Sequence, residues 1–185
     1  MNDQTNQLVS VSLVEIRPQR PPLNLLYFDV RLYNPAGVGR TYLLPDDLSA
    51  AGEAGDYDID VAYVYELSGQ GRIMVTRFAG TRGFFALILP AGSRLELNNL
   101  PLEYWGELPG ELTIPVAIGE ELKIAGQAAE TWLDINLQSD EGAVVDAEAL
   151  ADQLAVIKSN SLAGKDRVAV ELGAAEYIRL IVPLS

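Results

Sequence analysis

The chain contains no histidine and no cysteine, and these two absences close off most familiar site chemistry. Without a thiol there is no disulfide framework, no thiolate nucleophile and no zinc finger, and the composition fits a reducing compartment. Without imidazole, the one side chain that titrates unperturbed near neutral pH, there is no Ser-His-Asp triad, no HExxH zinc site and no His-ligated haem or copper. The enzymatic routes left are paired carboxylates acting on a glycosidic bond, a Ser-Lys arrangement, or magnesium or calcium held by carboxylates. No motif signals any of them, so no catalytic residue is assigned and a non-enzymatic role is expected.

Positive charge is scarce as well. Thirteen Lys/Arg stand against 26 Asp/Glu, a net charge of −13. From Glu103 onward there are 15 acidic residues against five basic ones, so the acidity belongs to the second half. A phosphate backbone would be repelled and no basic cluster invites anionic lipid, so neither nucleic acid nor membrane insertion is expected. The negative charge serves solubility, or forms a face that docks a basic protein partner. Long apolar runs are also missing, and the opening MNDQTNQ lacks the basic and apolar regions of a signal peptide. A cytoplasmic location is expected, or an extracellular one if a signal peptide has been removed.

What is present is core. Of the 185 residues, 49% are apolar, which rules out a disordered chain and allows one large or two small domains. Two domains of about 90 residues would each bury somewhat over 60% of their unfolded surface, enough to fold without disulfides or metals. The organising stretch is YFDVRLYNPAG from Tyr27 to Gly37. Phe28, Val30 and Leu32 alternate with Tyr27, Asp29, Arg31 and Tyr33 before Asn34-Pro35 ends the run, the pattern of a half-buried strand entering a turn. A related pattern, WLDINLQSDEG, runs from Trp132 to Gly142, and AGTRGFFALILPAGSRLEL from Ala79 is similar to AGKDRVAVELGAAEYIRL from Ala163. An internal duplication would account for both pairs, with an extra hairpin near 55–78 in the first copy.

Before the organising strand, LVSVSLVEI from Leu8 to Ile16 alternates Val9, Val11 and Leu13 on one face until the phase blurs near Val14. Arg17 to Pro22 then breaks it, and its PxxP match reads as a loop between strands. Pro45-Asp46-Asp47 suggests a short helical turn. DAEALADQLAVIK from Asp146 to Lys158 places Leu150, Leu154 and Ile157 at helical spacing with Asp146 able to cap, which predicts one short helix. Almost everything else is short strand and Gly/Pro corner. The expectation is an all-β protein of two β-sandwich repeats, 1–102 and 103–185, with one pseudo-symmetric sandwich or barrel left open.

The strand, turn and Pro-Gly corner layout of YFDVRLYNPAG and ALILPAGSRLEL resembles immunoglobulin-like and fibronectin-III-like domains. VSLVEIRPQRPPLNLLYFDVRLYNPAG is also similar to the opening of the water-stress domain of late-embryogenesis-abundant proteins, over about the first thirty residues after Leu8. These resemblances imply a sandwich fold and no residue-level function, because such folds host adhesion, scaffolding, carbohydrate binding and inhibition alike.

Two constellations carry candidate sites. Asp56, Asp58 and Asp60, with Glu53 nearby, would project three hard oxygen donors from one face of a strand, which suits calcium, although the same alternation also describes the wet face of a metal-free strand or a charged edge. Tyr104 and Trp105, flanked by Glu103 and Glu107, would offer an aromatic platform to a sugar ring, with carboxylates to accept its hydroxyl protons. Packing between domains is the other reading of that pair. The function expected is a non-catalytic binding or scaffolding protein that engages a protein partner through loops or a sheet edge, with a carbohydrate-binding module as the alternative.

Overall fold

A computed structural model of the chain describes residues 8–45, 48, 63–67, 73–77, 83–125, 128–131, 137–149, 156–159 and 168–185. Their regular structure is β. The strands are β1 (Val9–Pro18), β2 (Leu23–Tyr33), β3 (Arg40–Pro45), β4 (Tyr63–Leu67), β5 (Ile73–Arg77), β6 (Gly83–Leu89) and β7 (Arg94–Trp105). They continue as β8 (Glu111–Gly119), β9 (Leu122–Ala125), β10 (Ala128–Thr131), β11 (Gly142–Asp146), β12 (Val156–Ser159), β13 (Val168–Leu172) and β14 (Glu176–Pro183). Three sheets result, in the orders β1-β2-β7-β11, β10-β12-β6-β3-β8-β14 and β4-β5-β13-β9. Only the β11–β7 pairing among these is parallel.

The first two sheets share one core. Phe28, Val30 and Leu32 of β2 and Leu95, Leu97 and Leu100 of β7 face Tyr42 and Leu44 of β3 and Ile114, Val116 and Ile118 of β8 within a single buried cluster. This is sandwich packing, in which period-2 alternation turns one face of each sheet inward. The phase change near Val14 is a β-bulge between Leu13 and Glu15 in the pairing of β1 with β2, which leaves Val14 exposed. A second bulge lies opposite Asp29. Phe28 pairs with Leu100 and Val30 with Leu97, so Asn98 and Asn99 share one partner. Asn99 takes a left-handed φ of 57°, and its freed amide donates to Asp29 Oδ1 at 3.1 Å.

One expectation about local structure is corrected. The helix expected over Asp146–Lys158 is not present among the described residues. Asp146 closes β11, a turn covers residues 147–149, and Val156–Ser159 form β12. Asp146 closes that turn by accepting from the amides of Glu148 at 3.2 Å and Ala149 at 3.4 Å, and Val156 and Ile157, β-branched residues that favour strands, pair with Phe85 and Phe84. Thr41 to Pro45 form the end of β3, and the helical turn expected at Pro45-Asp46-Asp47 falls largely outside the described residues. Thr41, Tyr42, Leu43 and Leu44 are all buried, so both faces of β3 are covered, and its backbone is paired by β6 on one side and β8 on the other. Asp46 and Asp47 lie outside the described residues, as does Trp132 to residue 136, the core of the second copy of the organising pattern.

The boundary drawn at 102/103 falls inside β7, and each sheet combines strands from before and after it. Within the stretch 55–78, β4 and β5 pair antiparallel. The two related stretches at Ala79 and Ala163 share a local plan. Each runs from a strand through a small-residue corner into a different sheet, β6 to β7 and β13 to β14, with Gly92 (φ 68°) and Ala174 (φ 47°) left-handed in the corners. At the second corner the chain pair β8–β9 and β13–β14 passes together from the second sheet to the third. Glu120 N–H donates to Gly173 O at 2.8 Å and Gly173 N–H to Glu121 O at 3.0 Å. A Cβ on Gly119 would stand 2.7 Å from Leu172 Cβ and 2.8 Å from Gly173 O, so only glycine permits this approach.

Candidate functional site: the outer face and open edge of the first sheet

Alternation decides where the expected aromatic pair goes. Tyr104 and Trp105 are consecutive in β7, so they point to opposite faces. Tyr104 enters the sandwich core at 7% exposure, whereas Trp105 stands outside at 42%. The two rings therefore do not form one platform. Glu103 is on the same face as Trp105, and the indole N–H reaches its Oε2 at 3.5 Å. Glu107 is exposed in the connection to β8. Glu53, Asp56, Asp58 and Asp60 lie outside the described residues, and among the described residues no group of three or more His, Cys, Asp or Glu is placed to hold a metal ion.

The outer face of the first sheet gathers residues that the sequence analysis named only as the polar side of a strand. In register, Ser10 of β1, Arg31 of β2, Glu96 of β7 and Val144 of β11 form one row across the sheet. Tyr33, Arg94 and Gly142 form the neighbouring row. Arg31 is 68% exposed at its side chain and pairs through Nε with Glu96 at 3.5 Å. The Arg94 guanidinium lies 4.5 Å from the Tyr33 ring centroid, a cation–π stack that holds it flat along the sheet. These residues line an open cavity of about 320 Å³.

Farther along the same face, Arg17 bridges the two edge strands. Its guanidinium covers the Tyr27 ring at 4.1 Å and donates to Glu15 Oε2 at 2.8 Å and to Glu148 Oε1, just beyond β11, at 2.6 Å. Tyr27 is only 6% exposed although it points away from the core, and the overlying guanidinium accounts for this. The hydrogen bond from Arg17 holds the Glu15 carboxyl below its ordinary value and outweighs a small opposing desolvation.

Backbone bonds tie down the end of the sandwich beside the 320 Å³ cavity. Asn34 is fully buried. Its Nδ2 donates to the carbonyls of Val38 (2.8 Å), Leu89 (3.0 Å) and Pro90 (3.0 Å), and its Oδ1 accepts from Ala36 N–H at 3.1 Å. Gly92 N–H donates to Ala36 O, Asp140 N–H to Ala91 O and Arg94 N–H to Glu141 O, which locks three connections together. The position of Arg94 is thereby set by loops distant in sequence.

The remaining feature is an edge. Among the described residues no strand pairs with the outer edge of β1 or with that of β14. Between these two edges runs a groove of about 430 Å³ lined by Val9, Ser10, Val11, Arg179, Leu180 and Ile181. Ile181 is 64% exposed there. Charge, proline and bulges are the devices that protect sheet edges. On β1 all of them, the bulge at Val14, Glu15, Arg17 and Pro18, fall in the second half, and VSVSL from Val9 to Leu13 carries none.

Compared with known protein families, curated proteins and solved structures, the chain matches none. Among the described residues no helix is long and apolar enough to cross a membrane.

Proposed function

We propose that this is a non-catalytic binding protein that holds a segment of a protein partner at the groove between the edges of β1 and β14. The observation that carries this reading is the groove between the edges of β1 and β14, where Ser10 and Ile181 are exposed. Five residues of strand span about 17 Å, so the groove beside Val9–Leu13 is long enough for a short partner segment. A second copy of the chain is disfavoured as occupant by like-charge repulsion at a net −13. The lack of imidazole and thiol and the immunoglobulin-like layout of the sequence fit a binding role. A sugar platform has Trp105 alone to rest on, since Tyr104 belongs to the core.

Position-specific photo-crosslinking tests this. A photoreactive residue is placed at 10 or 181, or at the exposed position 88 on β6, three strands from β14 in the second sheet, and the protein is exposed to lysate of its source. The expected result is one shared adduct from positions 10 and 181 that is absent from 88. Ser10→Lys with Ser12→Lys, two exposed changes that add charge to the edge, should remove it. Equal labelling from 88, an adduct that survives the lysine changes, or an adduct with a second copy of the chain would refute the reading.

A further inference from the structure

We infer that the cavity on the outer face of the first sheet binds a small monocarboxylate with a slender apolar body. The inference goes beyond partner capture, since apart from Ser10 the cavity shares no lining residue with the groove between β1 and β14. At about 320 Å³ it stands at the small end of the roughly 300–1,000 Å³ typical of ligand sites. A missing side chain opens it. Gly142 ends the row Tyr33, Arg94, Gly142 without a left-handed φ, so the backbone has no need of glycine there. A Cβ on Gly142 would meet only Arg94 O, at 3.9 Å. Beside this opening Val144 is 68% exposed, although its neighbours Ala143 and Val145 pack on the core. A large apolar side chain left to solvent next to empty space offers a seat for an apolar group.

Charge selects the acid. The Arg94 guanidinium lies along the Tyr33 ring and makes no ion pair among the described residues, so its N–H fork is open to a bidentate acceptor. Arg31, one row away, is held by Glu96. Two guanidiniums against one carboxylate leave the lining with a single positive charge, the complement of one carboxylate. Other acids on this side of the sheet accept from backbone amides: Asp29 from Asn99, Asp146 from Glu148 and Ala149, and Glu141 from Gln138. At physiological salt the Debye length is about 8 Å, so most of the chain's net −13 is screened at the site. From Tyr33 on β2 to Val144 on β11 is two strand spacings, about 10 Å. With its carboxylate on Arg94, a body of that length crosses β7 past Gly142 and rests on Val144. The stack on Tyr33 holds the guanidinium in place before binding, so little side-chain freedom is lost.

Phenylbutyrate, the uncharged phenylbutyramide and the cationic phenylbutylamine would be titrated into the full chain at about 0.15 M salt, with backbone amide NMR as the readout. The carboxylate should bind with a dissociation constant on the order of 1 mM, at least about fivefold more tightly than either analogue. Saturable shifts should centre on Arg31, Arg94 and Gly142 to Val144. Arg94→Gln should bring the carboxylate down to the level of the amide. Gly142→Val, which fills the opening with a residue suited to strands, should weaken carboxylate and amide alike. Arg94 is anchored to Glu141 by its backbone N–H and Gly142 faces open space, so both variants should keep the fold, checked by unchanged shifts in β3 and β8. Should either unfold, the ranking of the three probes and the place of their shifts on the parent chain decide. Equal binding of carboxylate and amide, preference for the amine, shifts that centre elsewhere or never saturate, or full affinity in a folded variant would overturn the assignment.

Discussion

Replacing Asn34 tests whether the interlocked loops beside the cavity depend on hydrogen bonding or merely on filled space. Its side chain is fully buried and serves three carbonyls and one amide. Asn34→Ala removes both N–H donors and one acceptor. With about 1 kcal/mol for each lost bond, plus the cost of carbonyls left buried without a partner, the expected destabilisation is about 3 kcal/mol. That is a large share of the 5–15 kcal/mol typical of a domain. Asn34→Asp keeps the shape but turns a carboxylate oxygen toward the three carbonyls. At neutral pH it should cost more than alanine, on the order of 5 kcal/mol, because a buried charge faces only acceptors. The sign of its pH dependence follows. This site would raise the folded pKa of the aspartate above the unfolded value near 3.9, so the charge penalty is absent at low pH and grows as pH rises from about 4 through the folded pKa. Urea unfolding of the three proteins at pH 4 and pH 7 reads both effects from the midpoint at constant m. An aspartate variant within about 0.5 kcal/mol of the parent, or more stable than the alanine variant at pH 7, would refute the reasoning.

Other perturbations follow from the same geometry. Tyr42 donates to Tyr33 O at 2.6 Å, and burial pushes its hydroxyl up to about 12; its folded value lies above the unfolded one near 10, so this contribution is intact below pH 10 and lost as pH rises toward 12, and Tyr42→Phe, costing about 1 kcal/mol at pH 7, should flatten the alkaline limb of a stability profile. In carbon-detected NMR titration the Glu15 carboxyl should titrate below 4.5 and return to its ordinary range in Arg17→Ala. Because the folded Glu15 value is depressed, its stabilising contribution is present above the ordinary value and lost as pH falls through the folded one. Arg17→Ala should also uncover Tyr27, read as increased solvent quenching of tyrosine fluorescence. Gly119→Ala should destabilise by at least about 2 kcal/mol in thermal unfolding, since its Cβ would meet backbone and a Cβ rather than a flexible tip.

Much of the fold was legible in the chain. The alternation of Val9, Val11 and Leu13, its phase break at Val14, and the inward set Phe28, Val30 and Leu32 all reappear in the core, because a strand with one buried face must alternate with period 2. The segment 146–158 misled for a related reason. Leucine and alanine at helical spacing favour a helix when taken alone, but Val156 and Ile157 gain ladder hydrogen bonds and a pleated surface beside β6, a partner 71 positions away that local propensity cannot register. The aromatic pair shows the same limit from the other side. Tyr104 and Trp105 looked like one platform as adjacent letters, yet lying within a single strand sends them to opposite faces.

What the sequence determined by itself is therefore the inventory and the period. It excludes imidazole and thiol chemistry, sets the negative charge, and marks which side of each clear strand is apolar, since composition and alternation are local properties. Only the tertiary structure decided which strands became neighbours. The parallel docking of β11 on β7 completed the row Ser10, Arg31, Glu96 and Val144, and the placement of β1 at the end of its sheet brought it beside β14, with a groove between the two edges. Strand order arises from contacts between residues far apart in the chain, whose loop-closure cost is offset only when the whole core forms.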